Sequence, residues 1–299
     1  MSADLPPGIR AGVSLAGWTT YRVGGPAEWL ATPRTFADLK RALDWGQDQG
    51  LPVTLIGCGS NLLISDQGLP GLVISTRYLR EVIFDEAAGR VWAAAGVPLP
   101  HLAKEAARRG WQGLEWAVGI PGTVGGAVVM NAGAHQRCVA DLLVAVDALT
   151  PTGMGMGLTA DQMDFAYRYS RFQSETAWVA GATLQLQPGG DPVDVLAATE
   201  AQLAHRRQSQ PYDLPSCGSV FRNPSPRPAG WLIEQSGLKG YQIGQAQVAH
   251  RHANFIVNLG GATAQDVLRL IHHVQAEVER CWALALHPEV KVLGTFQPV

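Results

Sequence analysis

Five glycines fall within residues 119–134, and this density constrains how the chain can fold. Glycine permits positive φ and has no Cβ, so such a run brings bare main-chain N–H groups close to an anion. A second loop, Gly57-Cys-Gly-Ser-Asn-Leu-Leu63, directly follows the apolar run Val53–Ile56, which predicts a buried strand that enters a tight turn. Both loops are predicted to bind phosphate.

Two phosphate-binding loops suggest a ligand with two phosphates, such as a dinucleotide. A Rossmann site fits badly, because its fingerprint needs a third glycine at the opening of a helix. Leu62 stands at that position, and residues 64–70 have turn chemistry. The alternative is that both loops are only tight connections in a glycine-rich fold.

Composition excludes several classes of protein. The chain has 299 residues, enough for two domains with ample core. Hydrophobic residues make up 46% and charged residues 16%, which excludes a disordered chain. The net charge is −2 and no basic run occurs, so we expect no nucleic-acid partner.

The N-terminus has neither the basic nor the apolar region of a signal peptide, and no run of eighteen apolar residues occurs. We therefore expect a cytoplasmic protein without a membrane partner. The cysteines are scattered without Cys-x-x-Cys spacing, which argues against a metal site and a disulfide framework. They are Cys58, Cys138, Cys217 and Cys281. Cys58 lies inside a glycine loop, where a buried apolar role is the simplest interpretation.

Periodicity predicts short, mixed elements and an α+β fold. A Thr-x-x-Asp cap opens a helix at Thr35, and Thr263 opens the clearest helix, with an apolar stripe that ends at Cys281. Further helices are predicted at 99–109 and 193–207. The predicted strands are 53–56, 72–75, 82–84, 91–94, 142–149 and 178–186. Residues 188–192 break both periods, which puts a domain boundary near residue 190.

Three segments hold polar groups suited to chemistry. Residues 165–171 contain two arginines, which suit a carboxylate or phosphate, although a solvated edge explains them equally well. Residues 217–224 contain Ser219, whose hydroxyl could face a pocket, but no Gly-x-Ser-x-Gly elbow supports a hydrolase, and an ordinary turn serine is the simplest interpretation. Residues 287–292 predict a short strand that carries Glu289, either at an edge or held for proton transfer or electrostatic stabilisation.

Seven motifs occur in the order and spacing of one family. They are Tyr21-Arg-Val-Gly-Gly-Pro-Ala27, Gly57-Cys-Gly-Ser-Asn-Leu-Leu63, Gly119-Ile-Pro-Gly-Thr-Val-Gly-Gly-Ala127, Tyr167-Arg-Tyr-Ser170, Gly218-Ser-Val-Phe-Arg-Asn-Pro224, Gly237-Leu-Lys-Gly240 and His287-Pro-Glu-Val290. From about residue 13 to residue 294 the chain closely resembles the UDP-N-acetylenolpyruvoylglucosamine reductases. It looks like their shorter subtype, which lacks an extra tyrosine-bearing loop.

The resemblance implies an α+β flavoenzyme with an FAD-binding domain of the vanillyl-alcohol-oxidase (PCMH) type and a C-terminal α+β substrate domain. The FAD-binding domain would span residues 1–190, in subdomains of about 1–85 and 86–190, and the substrate domain residues 191–299. FAD would be bound tightly but not covalently. The implied cofactor-binding residues are Gly57, Cys58, Gly59, Ser60, Asn61, Leu62, Gly119, Ile120, Pro121, Gly122, Gly125, Gly126, Asn131, Gly133 and Arg206.

The family's reaction belongs to peptidoglycan precursor synthesis. NADPH reduces the flavin, and hydride then passes to the enolpyruvyl ether of UDP-N-acetylglucosamine. By resemblance, Arg168 binds the substrate carboxylate, Ser219 donates a proton to the enolate, and Glu289 acts with Arg168. The implied substrate-binding residues are Arg222, Asn223 and His252. We expect a monomer whose partner is a small nucleotide-sugar.

Two alternatives remain. One is an FAD-dependent oxidase of the same fold, in which Arg168, Ser219 and Glu289 would have no role together. The other is a non-catalytic nucleotide-sugar or flavin-binding protein, in which we would expect damage to those three residues, and all three are intact. Three positions depart from the family pattern: Arg222 replaces the commoner lysine, Ala249 replaces a frequent serine, and Gln136 follows His135 where glycine is usual.

Overall fold

Helix and strand boundaries follow local sequence signals in the computed structural model, which describes residues 6–298. The strands are β1 (Ile9–Ser14), β2 (Pro26–Ala31), β3 (Val53–Ile56), β4 (Leu62–Ile64), β5 (Leu69–Ser75), β6 (Val82–Asp85), β7 (Arg90–Ala94), β8 (Gly133–Ala134), β9 (Arg137–Cys138), β10 (Leu143–Leu149), β11 (Gly155–Thr159), β12 (Trp178–Gln185), β13 (Gln242–Ile243), β14 (Ala246–Val248), β15 (Ile256–Asn258) and β16 (Lys291–Leu293). The helices are α1 (Phe36–Asp48), α2 (Leu99–Arg108), α3 (Val124–Val129), α4 (Pro192–Ser209), α5 (Ala229–Gln235) and α6 (Ala264–Trp282).

Two compact units divide the chain. The first consists of residues 1–11, 29–58 and 71–206, and the second of residues 12–28, 59–70 and 207–299. Packing defines these units, whereas the predicted domains describe which residues bind FAD and which bind substrate. The first glycine loop is therefore divided, with Gly57 and Cys58 in the first unit and residues 59–62 in the second.

The first unit contains the small β8–β9 sheet and most of two larger sheets. One has the order β1–β2–β5–β3, with β3 and β5 parallel, and the other is an antiparallel sheet of order β11–β10–β12–β7–β6. Helix α1 begins at the predicted cap, where Thr35 and Asp38 form a reciprocal capping box. Its residues Leu39 and Leu43 pack into the core of this unit. Short strands, parallel and antiparallel, mixed with helices agree with the predicted α+β fold.

The second unit is built around helix α6. Its N-cap is the predicted Thr263, and the carboxylate of Asp66 accepts hydrogen bonds from the next two main-chain N–H groups at 2.8 and 2.9 Å. The predicted stripe is buried from Val267 to Val278, but its predicted last member, Cys281, is exposed because the helix runs on beyond the core. Strands β13–β14–β15 form the sheet of this unit, and β4 pairs with β16 in parallel.

Two predicted elements differ from the structure. Residues 62–64 are predicted as part of a loop and the turn after it, but they form strand β4. Strand β16, from far along the chain, supplies their hydrogen-bonding partner. The strand predicted at 287–292 begins only at Lys291, because Pro288 instead forms an isolated bridge with Phe221. Glu289 therefore lies just before strand β16 and not within a strand.

Candidate active site

The two glycine-rich loops meet inside the first unit. A Cβ added at Gly57 would lie 2.5 Å from Oγ1 of Thr123, so only glycine fits at this point of the first loop. Thr123 is the N-cap of α3, where its hydroxyl accepts a hydrogen bond from Gly126 N–H. The two segments predicted to bind one diphosphate are thus adjacent.

The second loop leaves its main chain accessible. Gly122 has φ +134°, a conformation that residues with a side chain rarely adopt. Gly125 is packed tightly, because an added Cβ would lie 2.8 Å from Ala95 Cβ. At Gly126 the nearest atom would be 3.7 Å away, and this residue is exposed although the rest of α3 is mostly buried. A phosphate can approach the start of α3 at this bare position, which fits the pyrophosphate of FAD.

Arg206 lies against this second loop. An added Cβ at Gly119 would lie 2.4 Å from Arg206 Cδ, so the arginine stem packs directly on the glycine main chain. The structure therefore brings one predicted cationic cofactor residue to the loop predicted to bind phosphate. Ile120 and Pro121 lie between these glycines and α3, partly exposed and exposed respectively.

Cys58 is half-buried in the first loop. Burial raises the pKa of its thiol, although the charges of Arg77 and Arg80 act in the opposite direction. The neutral thiol is the form that burial favours, in agreement with an apolar packing role. The two arginines add positive charge to the same loop.

Arg168 has an unusual backbone conformation, with φ +56°. Its guanidinium Nη2 donates to the carbonyl of Gly133 at 2.8 Å, and the side-chain amide of Gln173 donates to the carbonyl of Arg168 at 3.0 Å. The guanidinium also lies over the ring of Tyr167, 5.0 Å from its centroid. These contacts fix a half-buried cation at a defined place in the first unit.

Asn131 supports the same turn. It is buried, with its side-chain Nδ2 donating to Ala166 O at 3.0 Å and its Oδ1 accepting from Ala140 N at 3.0 Å. Gly133 in turn accepts the bond from Arg168. These two predicted cofactor residues thus hold the segment that carries Arg168, and their direct contact with FAD stays a prediction.

Ser219 and Glu289 lie on hydrogen-bonded segments of the second unit. The N–H of Glu289 donates to the carbonyl of Val220 at 2.7 Å, one residue after Ser219. Arg222 N–H donates to His287 O at 2.9 Å, so the segments run side by side in opposite directions. Both predicted catalytic side chains are half-buried.

The rest of the first glycine loop adjoins Glu289. Asn61 Nδ2 donates to Glu289 O at 3.1 Å, and Lys291 N–H donates back to Asn61 O at 3.0 Å. Gly59 has φ +65° and an added Cβ would lie 2.2 Å from Trp18 O, so this position also requires glycine. Ser60 is half-buried and Leu62 begins strand β4.

The predicted substrate residues occupy the same unit. Nε of Arg222 is buried, and no atom of residues 6–298 is its hydrogen-bond partner. Asn223 is exposed, with its Oδ1 accepting from Ala229 N at the start of α5, and His252 Nδ1 accepts from Asn254 N at 3.2 Å. Burial, and then the nearby charge of Arg222, lowers the pKa of Lys291.

Each unit therefore collects part of the predicted site. The first holds Gly57, Cys58, the second glycine loop, Asn131, Gly133, Arg168 and Arg206, and the second holds residues 59–62 with Ser219, Arg222, Asn223, His252 and Glu289. Sequence reasoning missed Asn254, Lys291 and Gln173. The sequence signal that could have found Asn254 is a polar residue inside the otherwise apolar run 253–257.

Two family models match separate parts of the chain. Residues 27–156 match the family model of an FAD binding domain, and residues 210–293 match that of the UDP-N-acetylenolpyruvoylglucosamine reductase C-terminal domain. The chain is an FAD-dependent oxidoreductase. It belongs to the UDP-N-acetylenolpyruvoylglucosamine reductase family.

Similarity to individual members extends over nearly the whole chain. The reductase of Nostoc sp. is 57% identical over 289 residues, which cover 97% of this chain and 87% of that protein. That of Synechococcus sp. (strain JA-3-3Ab) is 57% identical over 294 residues, or 98% and 94% of the two chains. The crystal structure of the Thermus caldophilus enzyme has a TM-score of 0.82 at 38% identity and covers 96% of this chain and 100% of that one.

These findings confirm the family, the FAD cofactor and an α+β fold with an FAD-binding domain. They also confirm a flavoprotein oxidoreductase of peptidoglycan precursor synthesis. Within residues 6–298, no helix combines the length and apolar character needed to cross a membrane. The same residues contain no group of three or more His, Cys, Asp or Glu side chains able to hold a metal ion.

Proposed function

We propose that this enzyme reduces the enolpyruvyl ether of UDP-N-acetylglucosamine to UDP-N-acetylmuramate, with NADPH as the hydride donor and Ser219 as the proton donor. The observation that carries the proposal is the 2.7 Å hydrogen bond from Glu289 N to Val220 O. This bond holds the segments of the serine and the carboxylate side by side. A proton donor and a charged partner must be held in this way to act on one substrate.

The chain's own residues bind and orient the reacting groups. FAD, when bound, supplies the acceptance and donation of hydride. The main chain at Gly57, Gly122 and Gly126 would bind its pyrophosphate, because these positions have no side chain to block an anion. Arg206, packed on Gly119, would add positive charge beside it.

Arg168 would bind the substrate carboxylate. Hydride addition to the terminal vinyl carbon leaves negative charge spread over the adjacent carbon and the carboxylate. A guanidinium already oriented by Gly133 O, on a main chain held by Gln173, stabilises that charge without further reorganisation. Glu289 would act with Arg168 in polarising the carboxylate.

Ser219 would donate its hydroxyl proton to the carbon next to the carboxylate. A serine hydroxyl is a weak acid, so the basicity of the enolate and the surrounding charges must favour the transfer. Arg222, Asn223 and His252 would bind the substrate around this point. Arg222 suits an anionic group because its Nε is buried without a partner among residues 6–298.

The decisive experiment is anaerobic stopped-flow absorbance near the flavin band with Ser219→Ala. We expect flavin reduction by NADPH to stay within about twofold of wild type, since Ser219 has no part in that step. Reoxidation by the enolpyruvyl substrate should slow by about 100-fold or more. Ser216→Ala, a half-buried serine three residues upstream, serves as the control and should leave both half-reactions unchanged.

Equal loss in both half-reactions would make Ser219 a structural residue and would overturn its role as the acid. Failure of NADPH to reduce the flavin would refute the proposed donor. If the reduced wild-type protein regained its colour only with oxygen, the oxidase interpretation would replace the reductase.

The proposal includes the predicted domain roles, with FAD on residues 1–190 and the nucleotide-sugar on residues 191–299. It also includes a monomer that acts in the cytoplasm on this small-molecule substrate, without a nucleic-acid partner. Light scattering during gel filtration would test the monomer, and a dimer mass across a tenfold range of concentration would refute it.

A further inference from the structure

Asn254 is a buried polar side chain in the middle of an apolar run. Only 2% of its surface is exposed, and its neighbours Ala253, Phe255, Ile256 and Val257 are also buried. A buried amide reduces stability unless its donors and acceptor are satisfied. Its hydrogen bonds therefore indicate what it does.

The side-chain amide and the main-chain carbonyl of Asn254 all bond the segment that follows Ser219. Its Oδ1 accepts from Phe221 N at 2.9 Å and its Nδ2 donates to Phe221 O at 2.8 Å, while its main-chain carbonyl accepts from Val220 N at 2.9 Å. The side chain thus makes the paired bonds that a neighbouring strand would make. It fixes both peptide groups of Phe221.

The opposite edge of this segment is bonded to the segment of Glu289. Val220 O accepts from Glu289 N at 2.7 Å, and Arg222 N donates to His287 O at 2.9 Å. Residues 220–222 are therefore held from both sides, by Asn254 on one and by residues 287–289 on the other. Ser219 is attached directly to this immobilised segment, so its position depends on both contacts.

Asn254 also orients His252. Its main-chain N–H donates to His252 Nδ1 at 3.2 Å, so Nδ1 is an acceptor and the proton of the neutral ring is on Nε2. One residue thus links the proposed proton donor and a proposed substrate residue.

We propose that Asn254 is a positioning residue for protonation of the substrate, which it controls by fixing Ser219 relative to Glu289. This inference rests on the proposed role of Ser219. Asn254 acts through the peptide groups of Val220 and Phe221, and does not itself touch the substrate. Its removal should affect the step that needs the Ser219 proton and spare flavin reduction by NADPH.

The test replaces Asn254 by aspartate. The introduced carboxylate can still accept from Phe221 N, but it cannot donate to Phe221 O. A buried carboxyl group has a raised pKa, and once protonated it regains a donor in nearly the same shape. Reoxidation of the reduced enzyme by the enolpyruvyl substrate should be about 10- to 100-fold slower than wild type at pH 8 and should recover toward wild type as the pH falls. Flavin reduction by NADPH should stay within about twofold.

Asn258→Asp is the matched control. Asn258 is also a buried asparagine, 4% exposed, and its side chain bonds Tyr21 O, Gly260 N and Ala262 N away from the Ser219 segment. It should lose stability to a similar extent without a selective loss of the reoxidation rate. Equal effects of the two substitutions on that rate would overturn the proposal.

Asn254→Ser provides a second variant in case the buried carboxyl group prevents folding. Its uncharged hydroxyl cannot span both groups of Phe221, so we expect slow reoxidation at every pH, without recovery in acid. Normal reoxidation in a folded Asn254→Ser enzyme would refute the positioning role. Ser219→Ala, measured in parallel, separates the two proposals. If Ser219→Ala reoxidises normally, the proposed role of Ser219 fails and this inference fails with it. If Ser219→Ala is slow but the Asn254 variants are not, only the role of Asn254 fails.

Discussion

The side-chain amide of Asn61 donates a hydrogen bond to the main-chain carbonyl of Glu289, with Nδ2 and the oxygen 3.1 Å apart. Asn61 belongs to the first glycine loop, and Glu289 is a proposed catalytic residue. Lys291 N–H returns a bond to Asn61 O at 3.0 Å. A residue predicted to bind the cofactor therefore also holds the main chain of a residue predicted to act on the substrate.

Replacing Asn61 by aspartate should slow substrate reduction even where FAD is retained. The carboxylate keeps the size of the amide but cannot donate to Glu289 O, and the loss of such a bond is worth about 1–2 kcal/mol, or about 5- to 30-fold in rate. Flavin content by absorbance and the reoxidation rate should be measured on the same preparation. A variant with full flavin content and a wild-type rate would contradict this role.

Gly57→Ala should weaken FAD retention. The new Cβ would lie 2.5 Å from Thr123 Oγ1, so the two phosphate-binding loops must separate. We expect a lower ratio of bound flavin to protein after gel filtration. Thr123→Ala in the same chain removes the clashing oxygen and should restore part of the flavin content, although it also loses the cap of α3.

Gly157→Ala is the matched control for this experiment. Gly157 lies in strand β11, has no positive φ, and an added Cβ would meet no atom within 4 Å. Flavin content should be unchanged. An equal loss of flavin in both variants would show that the contact between Gly57 and Thr123 is not the cause.

Stability should fall in alkaline solution because of two buried acids. Burial raises the pKa of the Cys217 thiol from 9.0 to about 12, and burial also raises the pKa of Tyr21 well above 10.0. The unfolded chain loses these protons at lower pH than the folded one. The stability that this provides is complete below pH 9 and is lost as the pH rises toward 12, at about 1.4 kcal/mol per pH unit for each group.

Urea unfolding from pH 7 to pH 11 would measure this dependence. Cys217→Ala should remove the part that begins near pH 9 and reduce but not abolish the part due to Tyr21, because burial is the largest cause of the raised Tyr21 pKa and Cys217 adds to it. Cys281→Ala, at an exposed cysteine, should leave the profile unchanged. A profile for Cys217→Ala that coincides with wild type would contradict the assignment.

Lys291→Gln should stabilise the fold slightly and weaken substrate binding. Burial, and then repulsion from the charge of Arg222, lowers the pKa of Lys291, so a positive charge at this position destabilises the fold. An anionic substrate group would relieve that repulsion, which is why we expect a higher KM with little change in kcat. Thermal unfolding and steady-state kinetics would show the two effects.

Lys239→Gln is a suitable comparison, because Lys239 is paired with Glu234 at 2.7 Å. It should lower stability slightly or leave it unchanged, without a change in KM. An unchanged KM in Lys291→Gln would remove Lys291 from substrate binding.

Local signals predicted the regular elements well. The capping residues Thr35 and Thr263 mark the starts of α1 and α6, and the apolar run at β3 was predicted with its observed bounds. Helix α3 was missed because Gly125 and Gly126 have low helix propensity, and only the packing of the second loop keeps them helical. Strand β4 was missed because its partner lies at the other end of the chain.

The candidate site, too, was predicted only where local sequence patterns carry the information. Glycine chemistry indicated that the loops around Gly57 and Gly122 bind an anion, and the resemblance supplied the roles of Arg168, Ser219 and Glu289. No local pattern predicts that Asn254 pairs with Phe221, because the two residues are 33 positions apart. Such contacts exist only once the tertiary structure has formed.

The parallel pairing of β4 with β16 affects the order in which the protein can fold during synthesis. The bond between Asn61 and Glu289 beside this pair joins residues 228 positions apart. On the ribosome, residues 59–64 emerge well before residues 291–293 and must stay without their partner strand until those residues have been translated. Contacts of this separation form slowly, and an exposed strand edge invites wrong pairing in the meantime. A polypeptide that stops before residue 289 would therefore lack both the partner strand of β4 and the proposed catalytic residue Glu289.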